Sequence, residues 1–163
     1  MEKISDIKTL TEEELKNWLK EVGEKPFRAD QIRNRLFCGQ VKSFNEMETI
    51  PAALREKLSA NFRITSLEEA KRLISVDGTV KWLYQTHDGH HIETVLIPTN
   101  DRFSVCVSTQ IGCAQNCAFC RTAKMGFIRN LEAGEILEEI IRVNWHLEET
   151  GTKHSDGSLA KVT

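Results

Sequence analysis

The stretch that most restricts what this chain can become is Cys113-Ala114-Gln115-Asn116-Cys117-Ala118-Phe119-Cys120, three cysteines within eight residues at Cys-x3-Cys-x2-Cys spacing. It follows directly on the apolar, strand-like run 103–111. Three thiolates from one short loop can hold three corners of a cubane iron–sulfur cluster. Ferredoxin-type clusters take four cysteines, so this set leaves one iron without a protein ligand. An open metal position is where a substrate or cofactor binds. Two plainer readings stand beside this one. A structural zinc site usually comes as two Cys-x2-Cys pairs, and here there is no second pair; His146 and His154 lie beyond an expected helix. Three unrelated core thiols are the other alternative, but Gly112, Gln115, Asn116 and Arg121 make this a polar turn rather than a core segment. The loop reads as chemistry.

Composition sets the frame for that chemistry. At 163 residues, 40% apolar and 28% charged, the chain suits one globular domain or two small ones. A net charge of −2 gives no global basic field for nucleic acid. No apolar run reaches the length of a membrane span, and the first five residues carry no signal-peptide core. Five cysteines, an odd number with three crowded together, suit a reducing cytosol rather than a secreted disulfide framework. The expectation is a cytoplasmic protein without a membrane partner.

From the N-terminus, Thr11 and Glu14 form a capping box that starts a helix, with Gly23 as its stop and Leu15, Trp18, Leu19 and Val22 as its apolar stripe. A second helix fits 28–38, with Ala29, Ile32 and Leu36 inward and Cys38 as a core thiol. Ser43 and Glu46 suggest another capping box, and Pro51 a first helical position for a helix over 52–60. Residues 1–62 therefore read as a small helical bundle. It is neutral overall, with eleven basic and eleven acidic residues. Around the second helix, however, Lys25, Arg28, Arg33, Arg35 and Lys42 face only Asp30, a set that suits RNA phosphate or simply a solvated surface.

Asp77-Gly78 and Asp88-Gly89 are hairpin-turn signals separating runs at 69–75, 79–86 and 91–98, an antiparallel meander within 63–101. Glu93 interrupts the apolar run 92–97 on the side of Val95 and Ile97, so it lies on a wet face or carries a raised pKa. In the strand expected over 102–110, Val105 and Val107 point one way and Ser104, Cys106 and Ser108 the other. By analogy with the mouth of a (β/α) barrel, that polar side would face an active site. This gives Cys106 a candidate role apart from the three ligands, with a small buried hydrophobe as the alternative. Beyond the loop, Arg121, Lys124 and Arg129 have no acid among them and suit RNA phosphate or a counter-charge to a thiolate cluster. A helix over 132–150, capped by Asn130, carries Ile136, Ile140, Val143 and Leu147 on its main stripe, and 161–163 looks like the start of a further strand.

The spacing Cys113-x3-Cys117-x-Phe119-Cys120 resembles the signature of radical S-adenosylmethionine (SAM) enzymes, whose fourth iron is chelated by SAM. More narrowly, Cys106-Val107-Ser108-Thr109-Gln110-Ile111-Gly112-Cys113, Arg121-Thr122-Ala123-Lys124-Met125-Gly126-Phe127 and Arg129-Asn130-Leu131 are similar to the bacterial RlmN family. That family methylates carbon-2 of adenine in ribosomal and transfer RNA. The likeness continues upstream through Phe27-Arg28-Ala29-Asp30-Gln31-Ile32, Leu54-Arg55-Glu56-Lys57-Leu58 and Ile92-Glu93-Thr94-Val95.

The resemblance implies an α+β chain in three parts. These are a helical RNA-binding bundle over 1–62, a small antiparallel β segment over 63–101, and over 102–163 the first βα unit of an incomplete radical-SAM (β/α) barrel. It also implies a 4Fe-4S cluster on Cys113, Cys117 and Cys120, SAM as cofactor, ribosomal and transfer RNA as partners, and an electron donor. Glu93, thirteen residues before Cys106, takes the position of the family's proton acceptor. Cys106, seven residues before Cys113, takes that of its catalytic cysteine, which resolves a protein–RNA link through a disulfide with a methyl-carrying cysteine. No cysteine follows Cys120. The expectation is therefore an N-terminal portion that retains the ligands and part of the RNA surface but not turnover, with apolar surface exposed on its last helix. Sister enzymes that methylate carbon-8, and a zinc module that binds RNA without catalysis, are the alternatives.

Overall fold

A computed structural model describes residues 5–39, 41–100, 102–115 and 117–162. The chain divides into two compact units, Met1–Thr65 and Ser66–Thr163.

The first unit is built on three helices: α1 (Glu12–Glu21), α2 (Arg28–Cys38) and α3 (Ala52–Asn61). Thr11 caps α1 as its sequence requires. Its hydroxyl accepts the Glu14 N–H at 3.2 Å, and the Glu14 carboxylate accepts the Thr11 N–H at 2.7 Å. Leu15, Leu19, Ala29, Ile32, Leu36, Leu54 and Leu58 close into one core with Phe44, Met47 and Ile50. Each such burial of a large apolar side chain is worth about 1.5–3 kcal/mol. A two-residue parallel pair, β1 (Ser5–Asp6) with β2 (Phe62–Arg63), joins the ends of the unit. Asp6 secures the closure: it is buried and accepts the N–H groups of Lys8 (2.7 Å) and Thr65 (2.8 Å).

Three local expectations need correction here. Cys38 is exposed rather than a core thiol. It stands two residues past Leu36, roughly 200° around the helix from the buried stripe. Ser43 stands at the N-cap of a single 3-10 turn, but its side chain makes no cap bond to the backbone; its hydroxyl donates to the Glu46 carboxylate at 2.8 Å. Pro51 sits at the N-cap of α3, one residue before the position expected for it.

The second unit is a four-stranded antiparallel sheet in the order β3 (Glu68–Ile74), β4 (Val80–Gln85), β5 (His91–Thr99), β6 (Arg102–Cys106), with α4 (Ala133–Glu149) against it. Val80, Trp82 and Tyr84 of β4, Ile92 and Leu96 of β5 and Phe103 of β6 form the inner face, packed with Val143 and Leu147 of α4. The Trp82 ring meets His146 edge-on at 5.1 Å. A separate antiparallel hairpin, β7 (Gln110–Gly112) with β8 (Phe127–Asn130), carries the cysteine loop.

The strand after position 101 ends at Cys106 rather than 110, and it has an in-sheet partner. It pairs antiparallel with β5 through Leu96↔Val105 and Val95↔Cys106. The link is a tight hairpin, closed by Thr99↔Arg102, in which Asn100 takes the left-handed conformation (φ 54°) that asparagine tolerates well. A parallel contact also exists, the single bridge Phe103↔Val162, where the Val162 N–H donates to Asn144 Oδ1 at 2.9 Å. Of the strand expected at 161–163, Thr163 lies outside the described residues.

α4 differs from expectation at both its start and its surface. Asn130 belongs to β8, and Glu132 is the N-cap, in a capping box with Glu135. The helix exposes no large apolar side chain among the described residues; Ile141, Val143, Trp145 and Leu147 are all buried. Exposed apolar groups lie instead on the cysteine hairpin (Phe119, Met125, Phe127, Ile128) and at Leu73, Ile74, Val76 and Ile97. No helix is long and apolar enough to cross a membrane, among the described residues.

Candidate active site

Strand alternation decides where Glu93 and Cys106 point. In β5, Ile92, Thr94 and Leu96 are buried, so Glu93, Val95 and Ile97 take the outer face. Val95 stands opposite Cys106, which places Glu93 and Cys106 on the same face as diagonal neighbours, on the order of 7 Å apart. The face is wet. Glu93 receives the Lys81 ammonium at 2.7 Å with its side chain 56% exposed, and the Cys106 thiol is also exposed. Of the two environments open to Glu93 in the sequence, the solvated one holds. For Cys106 the buried alternative falls away.

The three clustered cysteines sit on the loop that β7 and β8 hold at its base. Gly112, immediately before Cys113, has φ 74°, and a Cβ there would fall 1.7 Å from the Gly126 carbonyl oxygen. Only glycine allows the two strands to approach this closely. The Cys113 N–H then donates to the same carbonyl at 3.1 Å, and the Cys120 N–H donates to the Cys117 carbonyl at 3.1 Å, a tight turn between the last two cysteines. Cys117 is exposed, and Cys113 and Cys120 are partly so. Asn116 lies outside the described residues.

As a donor set the loop fits an iron–sulfur cluster: three reduced thiols on one segment, reachable from solvent. Its geometry does not present a closed cage. Among the described residues, no three His, Cys, Asp or Glu side chains are grouped closely enough to hold a metal ion. Thiols have nothing to converge on until a metal deprotonates and gathers them, so binding and local ordering are coupled.

Arg129 anchors this hairpin, and its role corrects the idea of an unpaired cation next to the cysteines. The guanidinium forks onto Asp88 (2.8 and 3.0 Å), in the β4–β5 turn, and onto Glu135 (2.7 and 2.9 Å), in the first turn of α4. Hydrogen bonds from Arg129 hold the Asp88 carboxyl well below the usual carboxylate range. Burial alone would raise Glu135, but the bonds and charge of Arg129 more than offset it and leave it below its ordinary value. The guanidinium is itself raised by both partners. Arg121 and Lys124 remain exposed.

One group near the site was not anticipated. Glu139 of α4 is fully buried; it accepts the Thr94 hydroxyl at 2.5 Å and the Ser108 N–H at 3.0 Å. Burial pushes its carboxyl up to about 7, against the opposing effect of those bonds. The signal was available in the sequence: Glu135, Glu138 and Glu139 share one helical face at i, i+3, i+4 spacing, a second stripe beside the apolar one.

In the first unit, the cations around α2 spend their contacts on neutral groups. Arg28 donates to Gln31 Oε1 at 2.6 Å and stacks over Phe27 at 5.0 Å; Arg33 lies over the Phe37 ring at 5.2 Å; Arg35 donates to the Glu46 carbonyl at 3.1 Å. Among the described residues no carboxylate hydrogen-bonds these three guanidiniums, and Arg33 acts on Glu12 only through space.

Comparison with known proteins gives these features a common setting. Residues 5–64 match the family described as the ribosomal RNA large subunit methyltransferase N-terminal domain. The chain is 46% identical over 146 residues to the dual-specificity RNA methyltransferase RlmN of Anaeromyxobacter dehalogenans, covering 90% of this chain and 39% of that protein. It is 45% identical over 152 residues to the probable RlmN of Geobacillus kaustophilus, covering 93% and 42%. A crystal structure of a radical SAM methyltransferase from Sphaerobacter thermophilus superposes with a TM-score of 0.82 at 36% identity, covering 93% of this chain and 45% of that one. The chain thus spans about two-fifths of the length of the curated relatives it matches. Over about nine-tenths of its length, the chain is similar to the N-terminal portion of RlmN-type radical SAM methyltransferases.

Proposed function

We propose that this chain is the RNA-recognising and cluster-bearing portion of an enzyme that methylates carbon-2 of adenine in ribosomal and transfer RNA. Its setting is the cytoplasm, with an electron donor as a further partner. The observation that carries the reading is the shared face of Glu93 and Cys106, at the end of β6, from which the chain runs through β7 into the Cys113/Cys117/Cys120 loop. Carbon-2 rather than carbon-8 is favoured by the likeness of 122–127 to the carbon-2 group.

Cys113, Cys117 and Cys120 would hold the cluster, and together with SAM it would supply the radical chemistry that an electron-poor ring carbon requires. The remaining work falls to this chain's own residues. Glu93, 2.7 Å from the Lys81 ammonium, offers its carboxyl group on that face as acceptor of the proton that carbon-2 must lose. Both partners are substantially exposed, so the pair can open as an adenine approaches. Cys106 presents a free thiol on the same face as that base, placed to attack the sulfur of a cysteine–methylene–RNA link: a disulfide would form, the sulfur–carbon bond would break, and the electron pair would stay on the RNA carbon, which takes up a proton as the RNA is released. The cations of α2 and the exposed Phe27 at its N-cap suit phosphate and base contacts.

The test is a Cys106→Ala substitution in a full-length protein bearing this sequence. RNA covalently attached to protein should accumulate, and nucleoside analysis of wild-type product should show 2-methyladenosine. Free methylated RNA at a normal rate from the variant would reject the role of Cys106.

A further inference from the structure

Glu139 is an expensive residue where it stands. Its side chain is wholly removed from water, and while Oε2 takes two donors, Oε1 is buried with no partner among the described residues. A buried carboxyl oxygen left unpaired opposes folding, and a leucine would fill a helix–sheet contact without that penalty. What the carboxyl does uniquely is collect two donors from two different segments.

Those segments are the ones that carry the candidate site. Thr94 follows Glu93 and projects to the opposite face of β5, so the carboxyl holds that strand from behind. Ser108 lies two residues after Cys106, in the short 107–109 link between β6 and β7 that belongs to no ladder. A backbone N–H in such a link needs a partner from elsewhere, and Glu139 provides it. The same serine is tied a second time: its hydroxyl donates to the Glu93 carbonyl at 2.8 Å. Ser108 is thus clasped between the helix and the residue beside Thr94, and the exit of the chain from Cys106 toward the cysteine loop is fixed at that point.

We propose that Glu139 is a positioning residue, whose paired acceptance from Thr94 and Ser108 sets the placement of Cys106 against Glu93 and the departure of the strand toward Cys113. The inference rests on the roles given above to Glu93 and Cys106. Its geometry is independent of them.

The test uses the 163-residue chain, reduced and without added metal, in Glu139→Gln and Glu139→Leu forms. Alkylation of each cysteine by iodoacetamide is followed by peptide mass spectrometry, with exposed Cys38 as internal reference, and the Ser108 amide is followed by hydrogen exchange. Gln keeps an acceptor oxygen, so both readouts should stay within about twofold of wild type; Leu removes it, so Ser108 exchange should accelerate at least about tenfold and the Cys106-to-Cys38 rate ratio should change at least about threefold. A general loss of stability in the second unit would also speed exchange of ladder amides such as that of Trp82, which the proposal leaves unchanged, and Gln would not restore the wild-type pattern. Equal behaviour of Gln and Leu overturns the proposal, as does an unchanged Cys106 ratio in the Leu variant. Should Glu139→Leu not fold, wild type supplies its own measurement: Ser108 N–H, outside any ladder, should exchange at least about tenfold slower than an unstructured amide, and an unprotected amide overturns the proposal. Because neither readout involves RNA, cluster or turnover, failure here is distinct from failure of the catalytic roles.

Discussion

Arg129 grips Glu135 through two hydrogen bonds of 2.7 and 2.9 Å, and Glu135 has no exposure to water at all. This is the joint at which the cysteine hairpin meets α4. Because the same guanidinium also holds Asp88 in the β4–β5 turn, three segments are fastened by one side chain.

Removing that side chain strands a buried charge. Arg129→Met should destabilise the second unit by about 3 kcal/mol, and adding Glu135→Leu should recover most of the loss, since the cost lies in the carboxylate left unpaired rather than in the pair itself. Arg129→Lys should fall between, lacking the two-pronged fit. Thermal melts of the three variants check this. Asp88 and Glu135 are both held below their ordinary pKa values, so their contribution is present above the usual carboxylate range and is lost as pH falls through the lowered values.

Glu139 has the opposite sign. Its folded carboxyl is raised to about 7, so the folded state keeps a proton that the unfolded chain gives up near pH 4.5. Its stabilising effect is therefore full at acid pH and is lost as pH rises toward and through 7. Glu139→Gln, which carries no charge, should match wild type near pH 5. It should become more stable than wild type by on the order of 2 kcal/mol at pH 8. Paired melting curves across that range would show a growing gap; a constant gap would contradict the assignment.

Gly112 is a steric requirement rather than a preference. In Gly112→Ala the methyl would collide with the Gly126 carbonyl, 1.7 Å away, in a backbone conformation that already disfavours a side chain. Neither neighbour is a flexible side chain, so the hairpin must open, at a cost of about 1–3 kcal/mol for the conformation alone. Faster amide exchange at Cys113, whose N–H bonds that same carbonyl, would report it.

On α2, charge reversal at Arg28 and Arg33 should weaken RNA binding; Arg28, bonded to Gln31 and stacked on Phe27, should do so without lowering the melting temperature, while Arg33 also gives up a favourable interaction with Glu12. If each contacts one phosphate, the slope of log affinity against log salt should fall by about 0.7 per cation removed, as for single-stranded nucleic acid. Filter binding at several salt concentrations gives that slope.

Much of this was legible in the chain itself. Thr11 and Glu14 announce α1, the two Asp-Gly turns place the meander, and alternation through 92–97 puts Glu93 on the side of Val95. These signals are local, set within a few residues. What could not be read is held by partners far apart in sequence. Arg129 and Asp88 are 41 residues apart, and Glu139 and Thr94 are 45. A glutamate facing a sheet looks the same in sequence as one facing water, so α4 showed its apolar stripe and concealed its acidic one. Cys38 was misplaced because its residue type was weighed above its angle on the helix. The pairing of β6 was missed because the hairpin at Asn100 lacks the glycine that marked the other two turns.

The measurement that bears most directly on the account is anaerobic reconstitution of the 163-residue chain with iron and sulfide, followed by metal analysis and visible spectroscopy. Brown protein holding about four irons per chain, with the colour lost in Cys113→Ser, Cys117→Ser and Cys120→Ser, is the predicted result. Folded, colourless protein that takes up no iron, or that binds one zinc per chain in its place, would contradict it.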